Sequence, residues 1–160
     1  MMKVGFIGLG IMGKPMSKSL LKAGYQLVVS NRSQSSVDEL VSLGAVSAVN
    51  GAGVAETCDV IITMLPNSPQ VREVCLGEGG IIETAKPGTV VIDMSSIDPT
   101  ETKSIGAELA KKGIEMMDAP VSGGEPKAID GTISVMAGGS KENFEKCYDL
   151  LMAMAGSVVY

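Results

Sequence analysis

The 160-residue chain has no histidine and no tryptophan, and only 3% of it is aromatic. Without histidine a Ser-His-Asp hydrolase has no base. The three cysteines, Cys58, Cys75 and Cys147, are too scattered for the paired spacing of a zinc site, and no other metal set is evident. Odd in number and set among apolar residues, they read as reduced core thiols, which points to the cytoplasm. No apolar run approaches the roughly 18 residues of a membrane span, and Lys3 followed by a strand-like run is not a signal peptide. Basic clusters are also lacking, and the net charge is −5, so neither a membrane nor nucleic acid is the expected partner. Against these absences stand 45% hydrophobic and 19% charged residues, a globular balance in a chain of one-domain length.

Glycine, by contrast, is plentiful at 20 residues. Three of them form Gly8-Leu9-Gly10-Ile11-Met12-Gly13, a Gly-x-Gly-x-x-Gly pattern between the apolar run Val4–Ile7 and an amphipathic segment. Gly8 suits a tight turn, Gly10 lacks the side chain that would hold a pyrophosphate off the backbone, and Gly13 lets the helix press on its strand. The amide groups and positive dipole end of that helix then face an anion. The strand-before, helix-after context separates this from a plain glycine turn.

The pattern continues as strand and helix in alternation. Met16 and Leu20 recur at helical spacing up to Gly24, and Gln26–Ser30 is a second strand, one crossover unit in all. A short helix over Ser36–Leu43, a short strand over Ala45–Ala48 and a helical turn over Val54–Thr57 follow. Asp59–Leu65 is nearly all apolar, as befits a central parallel strand covered on both faces. Ser68 before Pro69 predicts a helix N-cap, and Thr89–Met94 is the next strand. Asp98-Pro-Thr-Glu101 predicts a capping box for a helix to Lys112, and Ile114–Met117 another strand. From Asp118 to Pro126 the sequence reads as a long loop. A strand over Ile133–Ala137, a helix presenting Phe144, Cys147, Tyr148, Leu151 and Ala155, and a last strand beginning with Ser157-Val-Val-Tyr160 complete the chain. The fold class is α/β: a Rossmann-type doubly wound sheet, mostly parallel, with a strand-helix-strand extension at its C-terminal end.

Such sheets bind ligands outside the carboxyl ends of their strands. At the end of the second strand, where an acidic residue commonly accepts from NAD ribose, stand Asn31 and Arg32. Arg32 can pair with an adenosine 2′-phosphate, which favours NADP(H); stacked on adenine instead, it leaves NAD(H) usable. Ser122-Gly123-Gly124 offers a hydroxyl and flexible backbone amides, either a nest for a substrate carboxylate or a turn. Lys127 reads as a solvated lysine, and Ser95 and Ser96 lack a base to make either a nucleophile. Hydride transfer to a carbonyl also needs a proton donor, and none is evident. The residues read as the cofactor half of an enzyme.

Four motifs in order, Gly5–Met16, Met64-Leu-Pro66, Asp93-Met-Ser-Ser-Ile-Asp-Pro99 and Asp118-Ala-Pro-Val-Ser-Gly-Gly124, resemble those of the β-hydroxyacid dehydrogenases. The resemblance implies that Gly8, Leu9, Gly10, Ile11, Met12 and Gly13 hold the pyrophosphate. It places Leu65, Pro66, Gln70 and Ser96 on the nicotinamide side, and Ser122, Gly123 and Gly124 on the substrate carboxylate. Ile62–Ser68 and Gly124–Gly131 are most similar to members that reduce tartronate semialdehyde to D-glycerate. Members acting on 3-hydroxyisobutyrate, or on succinic semialdehyde and glyoxylate, are the alternatives, and a non-catalytic dinucleotide-binding module is an alternative of another class. In the family the proton donor is a lysine of a Gly-Asn-x-x-Lys motif, and an all-helical C-terminal domain makes the dimer. Neither occurs in residues 1–160. The expectation is therefore the NAD(P)-binding domain of a longer homo-oligomeric enzyme, cut close to Tyr160, with the general-acid lysine beyond Tyr160. Alone it is expected to be inactive; whole, it acts on a small carboxylate-bearing aldehyde.

Overall fold

The computed structural model describes residues 2–160. Short apolar runs give six strands of one parallel sheet: β1 (Lys3–Ile7), β2 (Gln26–Ser30), β3 (Val46–Ser47), β4 (Val60–Thr63), β5 (Val90–Asp93) and β6 (Glu115–Asp118). Their order is β3-β2-β1-β4-β5-β6, so the direction of winding reverses between β1 and β4. Connections run through α1 (Gly13–Lys22), α2 (Gln34–Ser42), α3 (Gly51–Ala55), α4 (Ser68–Leu76) and α5 (Pro99–Ala110). Helices on both faces explain why the central strands are largely apolar: Val4, Phe6 and Ile62 bury against Met16 and Leu20 of α1, while Ile7, Ile61 and Val91 bury against Val71 and Cys75 of α4. Gly5 faces α3 so closely that a Cβ there would overlap the Val54 side chain.

Beyond β6 the chain builds a second sheet from β7 (Val121–Ser122), β8 (Ile133–Met136) and β9 (Ala155–Val159), linked by α6 (Gly124–Asp130) and α7 (Lys141–Met152). β7 pairs antiparallel and β9 parallel to β8. Its inner face, with Ile133 and Val135, joins the core that contains Met16 and Leu20, together with Cys147 and Leu151 of α7. The doubly wound fold is the one expected, and the extension is larger than strand-helix-strand. The stretch Asp118–Pro126, expected as a long loop, contains β7 and the start of α6, because pairing with β8 satisfies backbone groups that the turn-rich composition hides.

Smaller corrections concern caps and ends. Asn67, not Ser68, caps α4, its Oδ1 accepting from the Gln70 amide at 3.3 Å. At α5 Asp98 accepts from Thr100, but Glu101 pairs with Arg72 of α4 at 2.8 Å, so the capping box is half formed. Ala155 opens β9 instead of completing the helix face, and Asn143 and Leu150 join Cys147 and Leu151 as the buried residues of α7. The last strand therefore begins two residues before Ser157, and it ends before Tyr160, because its pairing with β8 closes at Met136 opposite Val159. Tyr160 is held by its side chain instead: the hydroxyl donates to the Gly139 carbonyl at 2.7 Å, and the ring packs on Phe144 with centroids 4.9 Å apart.

Candidate functional site

Where winding reverses, the ends of β1 and β4 diverge and leave a cleft of about 520 Å³. Its floor is the glycine turn. Gly8 takes φ +103°, a conformation that disfavours side chains, and a Cβ there would strike the Met64 carbonyl of the β4 loop. On Gly13 a Cβ would overlap the Gly8 carbonyl oxygen, so any side chain at the start of α1 would push the helix off the turn. Gly10 differs: a Cβ there meets nothing within 4 Å and would project into open space. Among the described residues no side chain caps α1, and its first turn has no acidic residue, which leaves its positive end free for an anion.

The end of β2 forms one wall. Asn31 Oδ1 accepts from the Leu9 amide at 2.9 Å and its Nδ2 donates to the Ser33 carbonyl at 3.3 Å, so Asn31 braces the glycine turn. Arg32 is 81% exposed, and among the described residues its one ion pair is a loose one of 4.0 Å with Glu73 of α4. Glu73 faces it, and Glu78, Gly79, Val49 and Asn50 also line the cleft. At the other end, Met64, Leu65 and Pro66 of the β4 loop line the cleft with Gln70, whose Oε1 is buried without a hydrogen-bond partner among the described residues.

Of the residues singled out in the sequence, Gly8, Gly10, Ile11, Met12, Gly13, Asn31, Arg32, Leu65, Pro66 and Gln70 line this cleft. Leu9 instead lines a groove on the far side of the turn, between α1 and α6. Ser96 is exposed and lies outside the cleft wall, as do Ser122, Gly123 and Gly124 at the exposed start of α6. Gly123 and Gly124 take φ +125° and +67° between β7 and α6. Among the described residues no lysine lines the cleft, and Tyr160, the residue beyond which the general acid is expected, lies outside its wall as well. The contributions of Glu73, Glu78, Val49 and Asn50 carry no motif. They come from α4, the segment after it and the approach to α3, parts of the chain that reach the cleft only through folding.

A buried polar cluster supports the Leu65 side. Asp93, 1% exposed at the end of β5, accepts through Oδ1 from Thr63 Oγ1 at 2.9 Å and from the Ser95 amide at 3.2 Å. Burial pushes its carboxyl above the usual aspartate range, hydrogen bonds from Ser95 and Thr63 pull the other way, and the charge of Asp118 adds to the rise. The three cysteines are buried and free; burial pushes Cys75 up to about 12 and Cys58 up to about 11. Among the described residues there is no cluster that could hold a metal ion, and no helix long and apolar enough to cross a membrane.

Comparison with known proteins places the chain in a family. Residues 3–160 match the family model described as the NAD binding domain of 6-phosphogluconate dehydrogenase. The chain is 45% identical over 157 residues to 2-hydroxy-3-oxopropionate reductase of Escherichia coli (strain K12), covering 98% of this chain and 53% of that protein. It is 43% identical over 159 residues to the 3-sulfolactaldehyde reductase of the same organism, covering 99% and 53%. To mouse mitochondrial 3-hydroxyisobutyrate dehydrogenase it is 44% identical over 157 residues, covering 98% and 47%. The chain thus spans about half the length of the curated relatives it matches. Among solved structures, a Mycobacterium tuberculosis 3-hydroxyisobutyrate dehydrogenase with L-serine superposes at a TM-score of 0.92, with 31% identity, over 99% of this chain and 54% of that one. Psf3 in complex with NADP+ and 2-OPP superposes at 0.92 with 30% identity, over 98% and 56%.

Proposed function

This chain belongs to the family of the NAD binding domain of 6-phosphogluconate dehydrogenase, and on that premise we propose that it is the cofactor-binding part of a hydroxyacid dehydrogenase. The proposed reaction is reversible reduction of a small carboxylate-bearing aldehyde by NAD(P)H. Similarity to a nicotinamide-dependent family makes the class of reaction general; the substrate, tartronate semialdehyde giving D-glycerate, is the finer proposal, supported by the 45% identity to 2-hydroxy-3-oxopropionate reductase.

One observation carries the reading. Three glycines stand in the turn, two where a side chain would collide with backbone, and one, Gly10, on the cleft wall, where a Cβ would meet nothing within 4 Å. Glycine at Gly10 is therefore explained by what the cleft receives, and a pyrophosphate over an uncapped helix start fits it. The buried acceptor Gln70 Oε1, which lacks a donor among the described residues, fits a carboxamide N–H at the nicotinamide end. When bound, the nicotinamide supplies a hydride to the aldehyde carbon and takes one back in reverse. The chain's own residues orient it: Asn31 braces the turn, Leu65 and Pro66 bound the ring side, and Arg32 meets an adenosine 2′-phosphate, which favours NADP(H) over NAD(H). Ser122, Gly123 and Gly124 are proposed to receive the substrate carboxylate, and the proton to come from a lysine beyond Tyr160. The second reading, a non-catalytic module, has one observation in its favour, the absence of lysine from the cleft wall among the described residues.

Two measurements test the proposal. Titration of NADPH and NADH should give tighter NADPH binding that Arg32→Ala reduces by about 10-fold, the worth of one charge-assisted contact. Tighter NADH binding untouched by that variant would reverse the cofactor assignment. A turnover assay of the full-length protein on small semialdehydes should show the highest rate with tartronate semialdehyde, and no rate on any would leave the module reading standing.

A further inference from the structure

The mouth of the cleft poses a backbone problem. β4 and β5 are adjacent and in register, Thr63 opposite Asp93, and the last ladder bond is from the Met94 amide to the Thr63 carbonyl at 2.9 Å. Beyond it the two chains diverge, and the Leu65 amide has no strand partner. Ser95 Oγ accepts it at 2.8 Å. Ser95 is itself held by its own amide, which donates to Asp93 Oδ1, and that same oxygen accepts from the hydroxyl of Thr63, the residue that ends β4. All three polar residues are nearly or fully buried, at 0% for Thr63, 1% for Asp93 and 4% for Ser95.

We infer that Asp93 and Ser95 are positioning residues for the nicotinamide half of the cleft, tying the Leu65-Pro66 loop to the end of β5. The inference rests on the dinucleotide reading and deepens it. Neither residue lines the cleft, so neither touches the cofactor; they act through Leu65. The adenosine half is built separately, by Asn31 and Arg32 after β2. A loop held by one side-chain acceptor can therefore be loosened at one end of the site without disturbing the other. Around Asp93, Asp118 on β6 and the thiol of Cys75 on α4 offer no counter-charge. Both bonds of the tie go to Asp93 Oδ1, while Oδ2 is buried without a partner among the described residues, so one acceptor oxygen in this place is all the tie requires.

The test compares NADPH with 2′-phospho-ADP-ribose, which lacks the nicotinamide, by calorimetry on the parent chain and on Ser95→Ala, Asp93→Asn and Asp93→Ala. Removing the Ser95 hydroxyl leaves the Leu65 amide without its acceptor, so NADPH should bind about 10-fold more weakly while the fragment stays within about 2-fold. Asp93→Asn keeps an oxygen acceptor and should bind both probes like the parent, whereas Asp93→Ala should behave like Ser95→Ala. Adding Asp93→Ala to Ser95→Ala should cost no further NADPH affinity, since both cut one tie. Should Asp93→Ala fail to fold, Ser95→Ala and Asp93→Asn still decide the matter. Equal weakening of both probes by Ser95→Ala, unchanged NADPH binding, or loss of NADPH binding in Asp93→Asn overturns the inference. If the folded parent binds neither probe, the dinucleotide reading itself fails and takes this inference with it, an outcome distinct from the others.

Discussion

Gly13 and Gly8 are in direct opposition: a Cβ on Gly13 would overlap the carbonyl oxygen of Gly8. The start of α1 is thereby pressed onto the end of β1, and the intervening Gly10 is left facing open space. The same residue type is thus required for packing at Gly13 and for access at Gly10.

Alanine separates the two requirements. Gly13→Ala should cost about 1–3 kcal/mol through overpacking, a fall in Tm of roughly 2–4 °C for each kcal/mol in a domain of this size. Gly10→Ala should leave Tm unchanged or slightly raised, yet weaken NADPH binding by about 10-fold or more, because its methyl occupies the space over the backbone. Thermal melts beside calorimetric titrations make the comparison; a Gly10→Ala variant that binds normally would remove the main support for the proposed site.

Arg32 is paired loosely with Glu73 across the cleft at 4.0 Å, both side chains largely exposed. A 2′-phosphate recruited to Arg32 would lie near that carboxylate. Glu73→Gln should therefore tighten NADPH binding about 2–3-fold at low ionic strength and leave NADH alone, with the effect lost near about 1 M salt. Equal gains for both cofactors would locate the repulsion somewhere other than the 2′-phosphate.

The raised carboxyl of Asp93 makes a signed prediction about pH. Its folded form binds a proton more tightly than the unfolded chain, so its stabilising contribution is complete below the unfolded value of about 3.9 and fades as pH climbs through the folded value. Relative to Asp93→Asn, which cannot titrate, the parent should lose stability over that climb. Tm measured against pH for the two proteins provides the check, and a constant difference between them would mean that Asp93 does not titrate in this way.

The thiols predict chemical silence. With Cys58 raised to about 11 and Cys75 to about 12, and Cys147 also raised by burial, almost no thiolate exists at neutral pH. An aromatic disulfide reagent should leave the native protein unlabelled over minutes and titrate all three thiols in denaturant. Rapid labelling of the native chain would show that one of these residues is less enclosed.

Much of this was readable along the chain because its cause is local. Strand Val60–Thr63 is buried throughout and apolar up to Thr63, and helix α1 follows the glycines at once, so periodicity and turn chemistry suffice to place them. The exchange of Ser68 for Asn67 as the cap of α4 is a choice between neighbouring polar residues that local sequence leaves open. β7 was hidden for a different reason. Val121-Ser122 has no strand signal of its own and becomes one only by pairing with Val135 and Ser134 of β8, beyond the whole of α6. Tyr160 is the converse case: it continues a strand-like run, yet leaves the ladder because its hydroxyl and ring find Gly139 and Phe144.

The glycine turn and Asn31-Arg32 are motifs whose chemistry is carried by adjacent residues, and that local chemistry is enough to point to a dinucleotide; Leu65-Pro66 is singled out through the family resemblance. Which residues share a cleft is another matter. Glu73 comes to face Arg32, and Ser95 takes the Leu65 amide with Asp93 and Thr63 behind it, only because the winding of the sheet brings separate strand ends and α4 together. The buried carboxyl could not be foreseen, since its surroundings arise from a strand and a helix distant in sequence. Backbone need is written into single glycines; the partners of a buried polar group are set by packing alone.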